Sequence, residues 1–147
     1  MIIRPFRASD TAPVVALWHE AGLTRPWNDP QADIRRKLAV QPELFLVAVD
    51  AGHDPDDETA RIIGSVMAGY DGHRGWIYYL ASAEDRRGEG IGAGLLARAE
   101  ELLREMGCPK VQLMVRPDNV GVLEFYDRQG YERFDVGLTG KRLIPDA

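Results

Sequence analysis

One cysteine, three histidines and no long apolar run set the first limits on this 147-residue chain. A lone Cys108 excludes an internal disulfide and any multi-thiolate metal centre. His19, His53 and His73 are scattered without ligand spacing, so no metal is expected. No stretch approaches the roughly 20 apolar residues of a membrane-crossing helix. The opening residues MIIRPFRASD lack the basic-then-apolar pattern of a secretory signal. A cytoplasmic location with no membrane partner is the expectation. Positive charge is also short: 18 Lys and Arg stand against 23 Asp and Glu, a net charge of −5. Nucleic-acid binding wants a basic face, so that function class is set aside, and a neutral or cationic substrate suits the chain better.

What is present fits an ordinary globular protein, 45% hydrophobic and 28% charged, of a size for one domain over residues 1–147. Residues 2–7 can start a sheet, and Ser9 or Asp10 can cap the helix whose apolar face holds Val14, Leu17 and Trp18. Gly22 stops that helix, and Asp29-Pro30 opens a second, running to about residue 40. The unbroken apolar run 44–49, the segment 61–70 and the run 76–81 read as an antiparallel meander, with an acidic turn at 53–58 and a polar turn at 71–75. A long amphipathic helix follows the glycine run and ends at Gly107. Then come a strand over 111–115, parallel to 76–81 because a helix crosses between them, a short helix over 120–129, a strand over 131–138 and a small return over 140–143. The order β-α-α-β-β-β-α-β-α-β predicts an α+β fold, with a mixed sheet of six to seven strands flanked by four helices.

The glycine run Arg87-Gly88-Glu89-Gly90-Ile91-Gly92 lies between a strand and a helix. Free backbone N–H groups and the positive end of the helix dipole meet there, which suits a phosphate-bearing ligand. Three readings compete: a tight connection, a dinucleotide site and a coenzyme A pyrophosphate cradle. Gly88-x-Gly90-x-x-Ala93 formally fits the dinucleotide fingerprint. It follows an antiparallel meander, however, and no acidic residue ends the next strand to bind a ribose.

Arg87-x-x-Gly90-x-Gly92 and the distant Asn119-x-x-Val122-x-x-Phe125-Tyr126-x-x-x-Gly130-Tyr131 together resemble the two signature motifs of the GCN5-related N-acetyltransferases, the GNAT family. RPWNDP, LFLVAV, GYDGHRG, YYL, GCPK and GKRLI further resemble the small stand-alone bacterial acetyltransferases of the YpeA type. The resemblance covers nearly the whole chain. It implies direct, acetyl-CoA-dependent transfer to a primary amine of a small molecule or peptide, a splay between the fourth and fifth strands, no metal, and the option of a homodimer. One departure is Ser82-Ala83-Glu84, where the family usually carries Val-x-Pro. Since backbone groups do the binding there, only the rigidity of the loop is at stake.

The resemblance assigns the coenzyme to Leu80, Ala81 and Ser82, to backbone N–H groups from Arg87 to Gly92 with charge from Arg86 or Arg87, and to Asn119, which can equally cap a helix. Tyr126 is carried over as the group facing the leaving thiolate. The run 76–81 holds no carboxylate to act as base. Asp71 and His73 in the preceding turn are the nearest candidates, against plain turn chemistry for Asp71-Gly72 and a solvated loop histidine. Tyr79 could orient a water. Trp27, Asn28 and Asp29 would border the acceptor, or else form a packing cluster and a helix cap. The missing base also leaves room for a non-catalytic acetyl-CoA-binding sensor module.

Overall fold

Five strands, Ile2–Pro5 (β1), Phe45–Val49 (β2), Ile62–Tyr70 (β3), Gly75–Ser82 (β4) and Val111–Gln112 (β5), lie side by side in chain order in the computed structural model. The structure describes residues 1–50, 52, 54 and 56–146; His53 and Pro55 of the acidic turn fall outside them. β1 to β4 pair antiparallel and β5 pairs parallel to β4. Four helices flank the sheet: Thr11–Glu20 (α1), Pro30–Leu38 (α2), Ile91–Glu105 (α3) and Val120–Arg128 (α4).

Two neighbouring residues of β3 show how the layers are arranged. Successive strand residues point to opposite faces. Ser65 accepts a hydrogen bond from the Trp18 indole of α1 at 2.8 Å. Gly64 turns toward α3 so closely that an added Cβ would lie 2.6 Å from Ile91 and 2.8 Å from Leu95. Helices α1 and α3 therefore cover opposite faces, and glycine at 64 lets α3 descend onto the sheet. β2 is buried throughout, as its unbroken apolar run requires. Leu95, Leu96, Ala99 and Leu103 supply the buried stripe of α3. Truncating any of these leucines to alanine would cost about 2–5 kcal/mol.

The sheet is smaller than expected. Among the described residues β5 keeps only two residues of the predicted 111–115, and 131–138 and 140–143 form no strand. The alternating apolar residues Phe134, Val136 and Leu138 are 52%, 81% and 73% exposed. Alternation makes a strand only where an edge and a face accept it, and a two-residue β5 offers neither. Among the described residues no helix is long and apolar enough to cross a membrane.

Candidate active site

β4 carries the distortion around which the site is built. Ser65 faces Ala81 and Met67 faces Tyr78, so Tyr79 and Leu80 together oppose Val66 in a β-bulge. Tyr79 sits there at φ 52°, a left-handed conformation that costs a non-glycine residue about 1–2 kcal/mol. Side chains from three elements hold it. The Tyr79 ring stacks on Trp18 at 3.8 Å between centroids, Ser65 donates to the Tyr79 carbonyl at 2.9 Å, and the phenol donates to Asp33 of α2 at 2.7 Å. Burial, and then the Asp33 carboxylate, push the phenol well above its ordinary pKa. The bulge also turns the consecutive residues Tyr78 and Tyr79 to the same cleft.

On its other side β4 is open. Only Gly75 and Trp76 pair with β5, opposite Val111 and Gln112. From Ile77 onward β4 has no pairing with β5 among the described residues, which leaves that edge of Leu80, Ala81 and Ser82 without a strand neighbour. Past Ser82 the chain turns through Glu84–Arg86 into α3. Gly90, at φ 77°, occupies the N-cap of α3 without a side-chain cap, and no acidic residue lies in the first turn. The leading N–H groups of α3, around Ile91 and Gly92, therefore lack side-chain acceptors among the described residues, an arrangement able to take an anion. Arg86 is engaged by Glu89 at 2.7 Å and Asp50 at 2.7 Å. Arg87 makes no ion pair among the described residues and is exposed.

Helix α4 brings the second motif to this place. A Cβ on Gly92 would stand 3.6 Å from the Phe125 ring. Tyr126 packs edge-on to Tyr131 at 5.4 Å, and Tyr131 donates to Glu100 of α3 at 2.6 Å. The Tyr126 ring is buried, and burial raises its phenol to about 12. Its hydroxyl has no hydrogen-bond partner among the described residues. Asn119 accepts from Val122 N–H at 3.4 Å as the N-cap of α4.

On the α2 side of the sheet, Tyr78 and Tyr79 line a cleft of about 610 Å³. Asn28 donates to Asp33 at 2.6 Å, and Arg36 donates to the other Asp33 oxygen at 2.6 Å. Asp29 caps α2 through Gln31 N–H at 2.9 Å, while Trp27 is exposed. The end of the chain straps this corner. Arg142 donates to the Trp27 carbonyl and to Asn28, and Asp146 accepts from Asp29 N–H at 2.7 Å and from Arg36 at 3.2 Å. Asp71 and His73 occupy the turn before Gly75, where Asp71 accepts from the Trp76 indole at 3.3 Å and acts through its charge on the Tyr78 phenol. Backbone N–H groups of Arg74 and His73 hold the Asp71 carboxyl below its ordinary range, which makes it a weak base.

The model of the acetyltransferase (GNAT) family matches residues 13–131. The chain belongs to the GNAT family. Over 99% of its length it is 50% identical to an acetyltransferase of Sodalis glossinidius, covering 98% of that protein, and 49% identical to one of Pectobacterium atrosepticum with the same coverage. A solved structure of the NatC complex bound to Gag peptide and CoA is 26% identical with a TM-score of 0.76, over 91% of this chain and 86% of that one. The protein is thus a bacterial-type GNAT N-acetyltransferase with a mixed five-stranded sheet and four helices. Sequence reasoning missed Asp33, Arg36 and Lys37, which look like the polar face of an ordinary surface helix. Their i, i+3 and i+4 spacing was the available signal, but nothing along the chain said that this face lies over β4.

Proposed function

We propose that this acetyltransferase takes its acetyl group from acetyl-CoA and passes it directly to a primary amine of a small molecule or peptide, from one domain in the cytoplasm. The observation that carries the reading is the open β4 edge leading into a helix N-terminus free of any side-chain cap. Acetyl-CoA, when bound, supplies the acetyl as a thioester. Leu80 to Ser82 offer backbone groups to its amide-bearing arm, and the N–H groups of Arg87 to Gly92, with the Arg87 charge, suit its pyrophosphate. Asn119 keeps α4 in place by capping it.

Tyr126 serves as a hydrogen-bond donor to the departing sulfur. With its phenol at about 12 and a thiol near about 8.5, full proton transfer from Tyr126 would be uphill. The amine nitrogen bonds to the acetyl carbon as the C–S bond breaks, and the sulfur keeps the electron pair. The proton shed by the new amide nitrogen ends on the thiol. An ammonium acceptor first gives its extra proton to solvent at the cleft mouth. Tyr79, Asn28 and Asp33 fix the acceptor side; Trp27 rims it.

Isothermal titration with acetyl-CoA tests the coenzyme assignment, with micromolar binding expected. Thiol release with a panel of amines tests turnover. Absence of binding overturns the coenzyme assignment, and binding without thiol release by any amine overturns the amine acceptor.

A further inference from the structure

Lys37 has no role in the reaction as described, yet it lines the same cleft as Tyr78 and Tyr79. It is only 9% exposed, and no hydrogen bond or ion pair within 4.0 Å satisfies its ammonium among the described residues. Its neighbours explain why. Gln41, the polar side chain next to it, is tied to β3 instead, accepting from Tyr70 N–H at 2.9 Å and donating to the Tyr70 carbonyl at 2.8 Å. Glu43 acts on Lys37 only through space, and burial lowers the lysine pKa. The ammonium lies over Gly69, where an added Cβ would be 3.8 Å from Nζ. A larger residue at 69 would begin to fill that space.

We infer that Lys37 is an anion anchor for the acceptor, so that the amine acetylated here belongs to a small molecule that also carries a carboxylate or phosphate. The inference rests on the cleft being the acceptor site. The ammonium keeps contact with solvent at the cleft and has no protein partner among the described residues, so a ligand anion is the charge-assisted partner that the site leaves open. Asp33 and Lys37 stand four residues apart on α2, one face and roughly 6 Å along the axis. Asp33 reaches the bulge through Tyr79, so the cleft has a reacting end and an anion end. Its volume of about 610 Å³ falls within the roughly 300–1,000 Å³ of small-ligand sites. Arg36 does not fill this role, because Asp33 and Asp146 already hold it.

The test compares matched acceptors at saturating acetyl-CoA: 3-aminopropionate against propylamine, 4-aminobutyrate against butylamine, and 3-aminopropylphosphonate as the phosphate arm. The acid-bearing member of a pair is expected to show a KM roughly tenfold to a hundredfold lower than its uncharged partner. In Lys37→Met that ratio falls to near one while acetyl-CoA affinity is kept, and Lys37→Arg restores part of it. Equal KM values in the unaltered enzyme, or a preference that survives Lys37→Met, overturn the inference. Whether the carboxylate or the phosphonate arm gains more identifies the anion. A readout without turnover guards against a misfolded variant. Titrating the unaltered protein with propionate and propylphosphonate should move the Lys37 Nζ resonance, and propanol should not. If neither anion moves it, the inference fails even where turnover is seen. If anions move it but no amine releases thiol, the acetyl-transfer reading fails and the anion site stands.

Discussion

The proposed coenzyme face and the proposed acceptor cleft of this protein are built by opposite means. The coenzyme face is mostly backbone: the unpaired edge of β4 beyond Trp76 and the uncapped start of α3. The acceptor cleft is mostly side chain, with Asn28, Asp33 and Arg36 tied to Tyr79 and to the distant Asp146. Backbone groups impose a shape that many side chains tolerate, which would accommodate Ser82-Ala83-Glu84 in place of a Val-x-Pro there. A side-chain cleft changes whenever one of its residues does. The coenzyme face should therefore respond to changes in conformation, and the acceptor cleft to changes in functional groups.

The largest expected effect lies where the two regions meet. Tyr126→Phe removes the only proposed donor to the sulfur and should lower kcat roughly 100-fold, with acetyl-CoA affinity within about twofold by titration. An unchanged kcat would take Tyr126 out of the chemistry. Next is Gly90→Val, which forces a β-branched residue to φ 77° at the start of α3. Acetyl-CoA binding should weaken at least tenfold, while the acceptor KM at saturating coenzyme barely moves. Equal damage to both constants would erase the distinction between the regions.

Ser65→Ala probes the frame of the bulge. It removes the acceptor of the buried Trp18 indole N–H and the hydroxyl donated to the Tyr79 carbonyl. A loss of about 1–3 kcal/mol in denaturant unfolding is expected. Tyr79→Phe keeps the stack on Trp18 and removes only the phenol, so acceptor KM should rise severalfold with stability and coenzyme affinity little changed.

The smallest effect is in pH. The Tyr126 phenol is raised from 10.0 to about 12 on folding, so the folded state holds its proton longer than the unfolded chain. Its contribution to stability is complete below pH 10 and is lost as pH rises through about 12. Tyr79 and Tyr131 are shifted in the same direction. Unfolding midpoints should be insensitive to these tyrosines at neutral pH and fall together above pH 10. A falling rate limb below pH 9 would have to come from another group.

The glycine turn, α3, α4 and the first four strands were legible because each is specified locally. A cap, a stop and an apolar period lie within a few residues of one another, as Asp29-Pro30 and Gly107 show. The segment 131–143 misled for the complementary reason. Its alternation of Phe134, Val136 and Leu138 is a local signal, while strand formation depends on an edge supplied elsewhere. Asp71 was the nearest carboxylate by position in the chain, and only the folded chain shows it accepting from the N–H groups of His73 and Arg74 and from the Trp76 indole.

By itself, then, the sequence determined the helix ends and the buried faces of α3 and β2, written in short-range periodicity and turn chemistry, while the link between the glycine turn and the Phe125-Tyr126 segment came from resemblance to a family. Only the tertiary structure decided which polar groups share the cleft. The α2 residues Asp33 and Lys37 are far along the chain from Tyr79, which lines the cleft with them, and from Asp146, which braces its corner. They meet because Trp18 and Ser65 hold a bulge that turns Tyr79 toward α2, and because Asp146 bonds back to Asp29 and Arg36. Such contacts depend on the summed packing of all the layers, which no single stretch of residues encodes.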